Sequence, residues 1–156
     1  MQQGYAMLDA FDHAILAVVQ ADNRLPNREI AHRVNLSETA VRRRLDRLRN
    51  EGVICGDVAL LDRDALGQTM VVSVIFAEDS AGAYARFREE MVASERVTQC
   101  YSIAGEVDFI LIVHAPDLRE FEAWAQTTLL GDPVVKRYET SVVFTTHKFS
   151  TGVPLG

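Results

Sequence analysis

Residues Glu29–Asn50 read EIAHRVNLSETAVRRRLDRLRN, and the folding of this stretch decides how its neighbours are read. Five arginines fall between Ala40 and Asn50, in a chain whose formal net charge is -6. At about 100° per residue, Val41, Leu45 and Leu48 share one stripe of a helix, spaced i, i+4, i+7. Arg43 and Arg47 lie opposite that stripe, Arg42 on its flank and Arg44 nearer the apolar side. The spacing therefore predicts a helix that is apolar on one side and cationic on the other. Just upstream, Pro26-Asn27 opens a shorter helix with Asn27 as its N-cap and Ile30, Ala31 and Val34 facing inward. Asn35 stands between the two, one of the few non-glycine residues that tolerate the left-handed conformation, and Ser37 caps the second helix. Two apolar-faced helices joined by a turn of about three or four residues form a helix-turn-helix. Ala31 supplies the small residue where the helices touch, Asn35 the left-handed turn, and Val41 the β-branched anchor.

Working outward, Asp9 is a good N-cap for a preceding helix whose apolar face is Phe11, Ile15, Leu16 and Val19. Asp22-Asn23 ends it. Three helices thus fill residues 1–53, with Gly52 closing the last. Residues 1–52 carry eight arginines against seven acids, a net +1, which leaves -7 on the remainder. A near-neutral front with one basic face, joined to an acidic back, predicts two parts with different partners.

After Gly52 the periodicity changes. Val53–Leu61 (VICGDVALL) reads as a strand leading away from the helices, and the boundary falls across residues 54–66. Beyond it, residues 67–156 read strand, helix, strand, strand, helix, strand. Thr69–Phe76 is the first strand. Ser80 caps a helix with Tyr84, Phe87 and Met91 on one face. Val97–Ala104 and Phe109–Ala115 are strands joined by the turn Gly105-Glu106-Val107-Asp108. Asp117 and Glu120 form a capping box for a helix bearing Phe121, Trp124 and Ala125, which ends at Gly131-Asp132-Pro133. Val134–Lys148 closes the series as one long strand. This βαββαβ order is ferredoxin-like, an antiparallel sheet with both helices on one face. The fold class is α+β: a winged, helix-turn-helix three-helix domain, a strand linker, and a ferredoxin-like domain. Val72, Val74, Ile110, Ile112, Val142 and Phe144 are too many apolar strand residues for one face to absorb, which predicts sheet-to-sheet dimerisation.

Composition narrows the function classes. Hydrophobic residues make up 48% and charged residues 24% of the 156 positions, ordinary values for a soluble globular chain. No apolar run approaches the roughly 18 residues of a membrane span, and the N-terminus lacks the basic and apolar regions of a secretory signal. Cys55 and Cys100 fit neither a disulfide framework nor a zinc site; both are expected as reduced, buried thiols of a cytoplasmic protein. His13, His32, His114 and His147 are scattered without ligand spacing, so no metal site is expected. No nucleophile elbow, phosphate loop or dinucleotide fingerprint is present, which argues against an enzyme and against a cofactor.

The segments LDAFDHAIL (Leu8–Leu16), EIAHRVNLSETAVRRRLDRLRNEGVI (Glu29–Ile54), ALG (Ala65–Gly67), GEVDFIL (Gly105–Leu111) and ETSVVFTTHK (Glu139–Lys148) together resemble the Lrp/AsnC family of transcription regulators. They sample almost the whole chain, in the family's order. The resemblance implies a DNA-binding domain followed by a ferredoxin-like domain that dimerises, assembles further (often to octamers) and senses small molecules, typically amino acids. The family usually has Gly-Asp-x-Asp in its sensing loop, where this chain has Gly-Glu-Val-Asp, and Gly at the helix-turn-helix turn, where this chain has Asn35.

On a lone helix, the arginines would be a solvated face with i, i+4 pairs such as Glu38–Arg42 and Arg42–Asp46. Within a helix-turn-helix, that face is the one that enters the major groove of double-stranded DNA. Ser37, Thr39, Arg42, Arg43 and Arg47 are then the residues expected to reach phosphates and base edges. The turn at Gly105–Asp108 would be a plain connection on composition alone. The resemblance implies instead that it receives the α-carboxylate of an amino-acid effector on backbone N–H groups. Gly105 then permits close approach, Asp108 or Glu106 meets the ammonium, and Thr140 is a further contact. Two other readings share the two-domain plan: a siroheme-decarboxylase-like enzyme, and an architectural DNA-binding protein without effector.

Overall fold

The computed structural model describes residues 7–78 and 80–155, which divide into two compact units. One runs to Leu60 and takes in the chain from Lys148 on; the other spans Leu61–His147. The sequence reading had placed that tail with the second domain.

The first unit holds α1 (Ala10–Ala21), α2 (Asn27–Val34) and α3 (Glu38–Asn50). α1 begins at a reciprocal capping box in which the Asp9 carboxylate accepts the Asp12 N–H and the Asp12 carboxylate accepts the Asp9 N–H. α2 differs from expectation at its start. Pro26 is the N-cap, without a side-chain hydrogen bond, and Asn27 is already helical. Asn35 is left-handed at φ 53°, and it is the one non-glycine residue with positive φ among those described. Its N–H and that of Leu36 both return to the Ala31 carbonyl, which closes the turn. The Ser37 hydroxyl accepts the Ala40 N–H and starts α3.

Ile15, Ile30, Ala31, Val34, Val41 and Leu45 pack into one buried cluster, with Leu25, Leu36 and Ile54 at its edge. Leu48 is also fully buried. Each such aliphatic side chain contributes about 1.5–3 kcal/mol on burial. The Val41/Leu45/Leu48 stripe therefore fixes which side of α3 can face solvent. Phe11, expected in the apolar face of α1, is exposed.

Val53–Leu61 forms no strand. Val53 and Ile54 fold back by donating their N–H groups to the Leu48 carbonyl, and Val58, Leu60 and Leu61 are exposed. The segment has strand composition, yet none of the described residues pairs with it as a strand. Cys55 is exposed rather than buried, and Cys100 is half-buried, with burial pushing its thiol pKa up. The tail is tied to α1 by Gln20, whose amide donates to the Val153 carbonyl and accepts its N–H, both at 3.1 Å.

The second unit is a four-stranded antiparallel sheet of β1 (Gln68–Phe76), β2 (Val97–Ser102), β3 (Phe109–Ala115) and β4 (Val135–Val142), in the order β2-β3-β1-β4. α4 (Ala81–Ala93) and α5 (Leu118–Ala125) connect them, and α5 continues as a π-helical turn, Gln126–Leu130. Met70, Val72, Val74 and Phe76 alternate inward on β1, as do Phe109, Leu111, Val113 and Ala115 on β3. They pack against Phe87 and Met91 of α4 and Phe121 and Ala125 of α5.

The apolar strand residues thus divide between two faces, which the sequence reading had pooled. Val72 and Val74 are buried under the helices, and Val142 lies on their side of the sheet. Val71, Ile75, Ile110 and Ile112 alternate onto the opposite face and are half-buried. Phe144 lies beyond the sheet and is 97% exposed. β4 stops at Val142, short of the expected Lys148; the Val143 N–H still donates to the Thr69 carbonyl, one residue from the start of β1 at Gln68. β2 likewise ends at Ser102. The Asp117–Glu120 box is half-formed: Asp117 accepts the Glu120 N–H, while the Glu120 carboxylate meets Arg96 at 2.6 Å. Gly67, at φ 151°, sits so close to Ala115 that a Cβ would stand 2.3 Å from its carbonyl oxygen. No helix among the described residues is long and apolar enough to cross a membrane.

Candidate functional site

The outward side of α3 presents Ser37, Thr39, Arg42 and Arg43, all exposed. Neither i, i+4 pair that could occupy Arg42, with Glu38 or with Asp46, is formed among the described residues, and Arg43 has no ion pair there. Both guanidinium groups stand free, Arg43 opposite the buried stripe and Arg42 on its flank. The Ser37 oxygen is engaged as a cap acceptor, which leaves its hydroxyl hydrogen to donate outward.

The next turn of α3 is built differently. Arg44 Nη1 donates to Asp12 Oδ1 and Asp9 Oδ2, each at 2.7 Å, and its guanidinium lies 5.5 Å from the centroid of the Phe11 ring. Arg47 Nη2 lies 2.6 Å from Asp12 Oδ2. Sequence reasoning placed Arg44 near the buried side, as found. It grouped Arg47 with the outward residues, whereas the structure sets it against Asp12 with its side chain 38% exposed.

Asp12 was missed altogether. It is fully buried in the first turn of α1. Burial pushes its carboxyl up, but Arg47, the Asp9 N–H and Arg44 outweigh that and bring its pKa down to about 2. The Asp12 N–H and Arg44 also lower Asp9. The available signal was an acid standing three and four residues before Ile15 and Leu16, on the stripe that must be buried. Asp9, Arg43, Arg44 and Arg47 line an open depression beside this cluster. At the far end of α3, Arg49 pairs with Asp57 at 3.0 Å.

In the second unit the candidate loop follows β2. Gly105 and Glu106 are exposed, and a Cβ at Gly105 would meet nothing within 4 Å. The glycine is therefore not required by the chain's own packing. Asp108 is committed inward. Its Oδ2 accepts the Phe76 N–H at 2.7 Å, its Oδ1 accepts the Tyr84 hydroxyl, and its N–H reaches the Val74 carbonyl. Asp108 thus ties the start of β3 to the end of β1 and to α4. Tyr84 packs its ring against Phe76 and Phe109 at the edge of the core, as expected, and its hydroxyl also holds this carboxylate. Thr140 is exposed on β4 and pairs with Val72, whose other neighbour is Leu111. β1 therefore separates Thr140 from the strand that carries the loop. The four histidines lie on separate elements, and no cluster of three metal-ligating side chains occurs among the described residues.

Comparison with known proteins gives two family matches. Residues 8–54 match winged helix-turn-helix DNA-binding domains, and residues 69–153 match the Lrp/AsnC ligand binding domain. An HTH-type transcriptional regulator of Sinorhizobium fredii is 39% identical, covering 98% of this chain and 92% of its own length. The Bkd operon transcriptional regulator of Pseudomonas aeruginosa is 34% identical, over 96% of this chain and 99% of that protein. Among solved structures, a Neisseria meningitidis transcriptional regulator in complex with L-Met superposes with a TM-score of 0.87 at 30% identity, covering 96% and 97% of the two chains. These relatives and fold neighbours are transcriptional regulators, not enzymes.

Proposed function

The chain belongs to the Lrp/AsnC family of helix-turn-helix transcriptional regulators, with a DNA-binding and a ligand-binding domain, and from that premise we propose how it works. α3 enters the major groove of specific operator DNA, and an amino acid or related small molecule at the Gly105–Asp108 loop modulates that binding. The observation that carries the reading is the outward side of α3, where Arg42 and Arg43 are exposed and unpaired, away from a fully buried stripe. A guanidinium free of intramolecular partners can make the bidentate contact to guanine that reads sequence, while Ser37 and Thr39 donate to phosphates. Such a protein acts in the cytoplasm, where the DNA is.

A near-neutral first unit neutralises few phosphates and binds weakly alone. Pairing supplies the rest. The open sheet face, with Val71, Ile75, Ile110 and Ile112, suits a second copy of the chain. The homodimer then presents two reading helices to half-sites one helical turn or a multiple apart, and further assembly, up to an octamer, adds more.

Within the loop, Glu106 is the acid free to meet a ligand ammonium, while Asp108 fixes the shape of the turn and Thr140 is a more distant contact. Gly105 leaves open space through which a ligand carboxylate can approach backbone N–H groups. The L-Met complex of the Neisseria relative supports an amino acid as the ligand class. A ligand that prefers one assembly shifts the spacing of the reading helices, and by linkage changes operator affinity.

The test is a panel of the twenty amino acids added to the full-length protein. Assembly size is read by light scattering and operator affinity at fixed salt. At least one amino acid changes size or affinity; no change in either across the panel refutes the effector half of the proposal. Equal affinity for operator and scrambled duplex would instead indicate an architectural protein.

A further inference from the structure

We propose that Asp12 is a positioning residue for DNA recognition, holding Arg44 and Arg47 back against α1 so that Arg42 and Arg43 carry the contacts to DNA. The inference rests on the reading of α3 as the DNA-binding helix and assigns its cations to two different tasks.

A buried carboxylate is costly unless its charge is matched and its lone pairs are used. Asp12 meets both needs with residues of α3. Arg44 donates to one carboxylate oxygen, and Arg47 lies against the other, which also accepts the Asp9 N–H. Asp9 adds a second carboxylate on Arg44, so two acids of α1 match two arginines of α3. Arg44 and Arg47 are three residues apart and grip the same carboxylate one turn from each other. That adds a polar constraint to the rotation of α3 already set by the Val41/Leu45/Leu48 stripe. Turning α3 by a single residue, about 100°, would break both contacts and carry Arg43 off the outward face.

Stability alone is a weak explanation for such a cluster, since buried ion pairs are often replaced by apolar residues without loss. Recognition offers a stronger one. Phosphate attraction is independent of sequence and rises with every free cation, whereas discrimination comes from the few side chains that touch base edges. Two arginines withheld from the backbone leave weaker binding to random DNA and an unchanged reading surface. Arg44 and Arg47 cannot serve a phosphate without leaving Asp12 uncompensated in the interior.

The test uses full-length protein, a duplex it retains from genomic fragments, and a scrambled duplex of equal length. Affinity is followed over a series of salt concentrations, with circular dichroism as the check on folding. Arg43→Gln lowers the selected-to-scrambled affinity ratio by about tenfold, whereas Arg47→Gln keeps both the wild-type ratio and the wild-type slope of log affinity against log salt. Asp12→Asn steepens the slope on scrambled duplex by about 0.9–1.8 and lowers the selected-to-scrambled ratio roughly tenfold. If Asp12→Asn does not fold, the Arg47→Gln slope decides alone. The proposal is overturned if Arg47→Gln lowers the slope by about 0.9, or lowers the ratio as much as Arg43→Gln does. It is equally overturned if a folded Asp12→Asn only melts earlier at an unchanged slope. A wild-type protein that retains no DNA refutes the DNA-binding reading itself, a different result from either.

Discussion

The Asp12 carboxylate in the first turn of α1 lies 2.6 Å from the Arg47 guanidinium on α3, a contact between residues that are far apart in sequence. Through it, the N-terminus of one helix and the basic side of another become a single rigid feature. Its partners Asp9 and Arg44 share the same charge-matched cluster.

This cluster predicts acid sensitivity of the first unit. The folded carboxyl of Asp12 is held at about 2, below its ordinary 3.8, so the ionised form is the stabilising one. The stabilisation is fully present above about pH 4–5 and fades as pH falls through 4 toward 2. Its size is on the order of 2 kcal/mol. The helical melting temperature, followed by circular dichroism, is expected to hold above that window and drop inside it. Asp9, lowered in the same direction, adds to the drop. A melting temperature that stays constant down to pH 2 would contradict the role given to Asp12.

Arg43 is exposed and free of ion pairs, and its replacement tests base reading. Arg43→Ala is expected to cost about 1–3 kcal/mol of operator affinity and to affect different sites unequally. A uniform loss across sites would make Arg43 a phosphate contact instead.

The turn at Asn35 gives a backbone prediction. At φ 53° a glycine fits without strain and a β-carbon does not. Asn35→Gly should leave denaturant stability within about 0.5 kcal/mol, and Asn35→Ala should lower it by about 1 kcal/mol. Equal stability of the two variants would count against a strained turn.

Asp108 and Glu106 should separate cleanly although two residues apart. Asp108→Ala removes the acceptor for both the Phe76 N–H and the Tyr84 hydroxyl, and should cost about 1–3 kcal/mol of stability. Glu106→Ala removes an exposed side chain and should change stability by less than about 0.5 kcal/mol while weakening the response to the effector. Calorimetric melting of each variant, with and without the active amino acid, gives both readings.

Gly67 is a stringent position in the second unit. A methyl group there would stand 2.3 Å from the Ala115 carbonyl oxygen, with the backbone at φ 151°. Gly67→Ala is expected to cost roughly 1–3 kcal/mol, visible as a lowered denaturant midpoint.

What could be read from the chain was what local chemistry decides. The Asp9 and Ser37 caps, the left-handed Asn35, the Val41/Leu45/Leu48 stripe and the βαββαβ order each depend on neighbours a few residues away. What could not be read depends on distant partners. Asp12 looks like any acid in a first turn until Arg44 and Arg47 are brought to it. Val53–Leu61 has strand composition, but a strand needs a ladder and none forms with it among the described residues. β4 has strand-like residues well past Val142, yet β1, its partner, extends only two residues beyond that pair, to Gln68. Val72 and Ile110 are equally apolar, and only the register assigns them to opposite faces. The loop at Gly105–Asp108 shows the same division. Its turn was legible, while the inward commitment of Asp108 to β1 and α4 was not.

Footprinting the full-length protein on genomic fragments that it retains tests the central claim most directly, with an Arg42→Ala/Arg43→Ala variant run in parallel. The account predicts protected half-sites one helical turn or a multiple apart, lost in the variant while its melting temperature is kept. Protection that persists unchanged in the folded variant, or no protected sites with the wild-type protein, would contradict it.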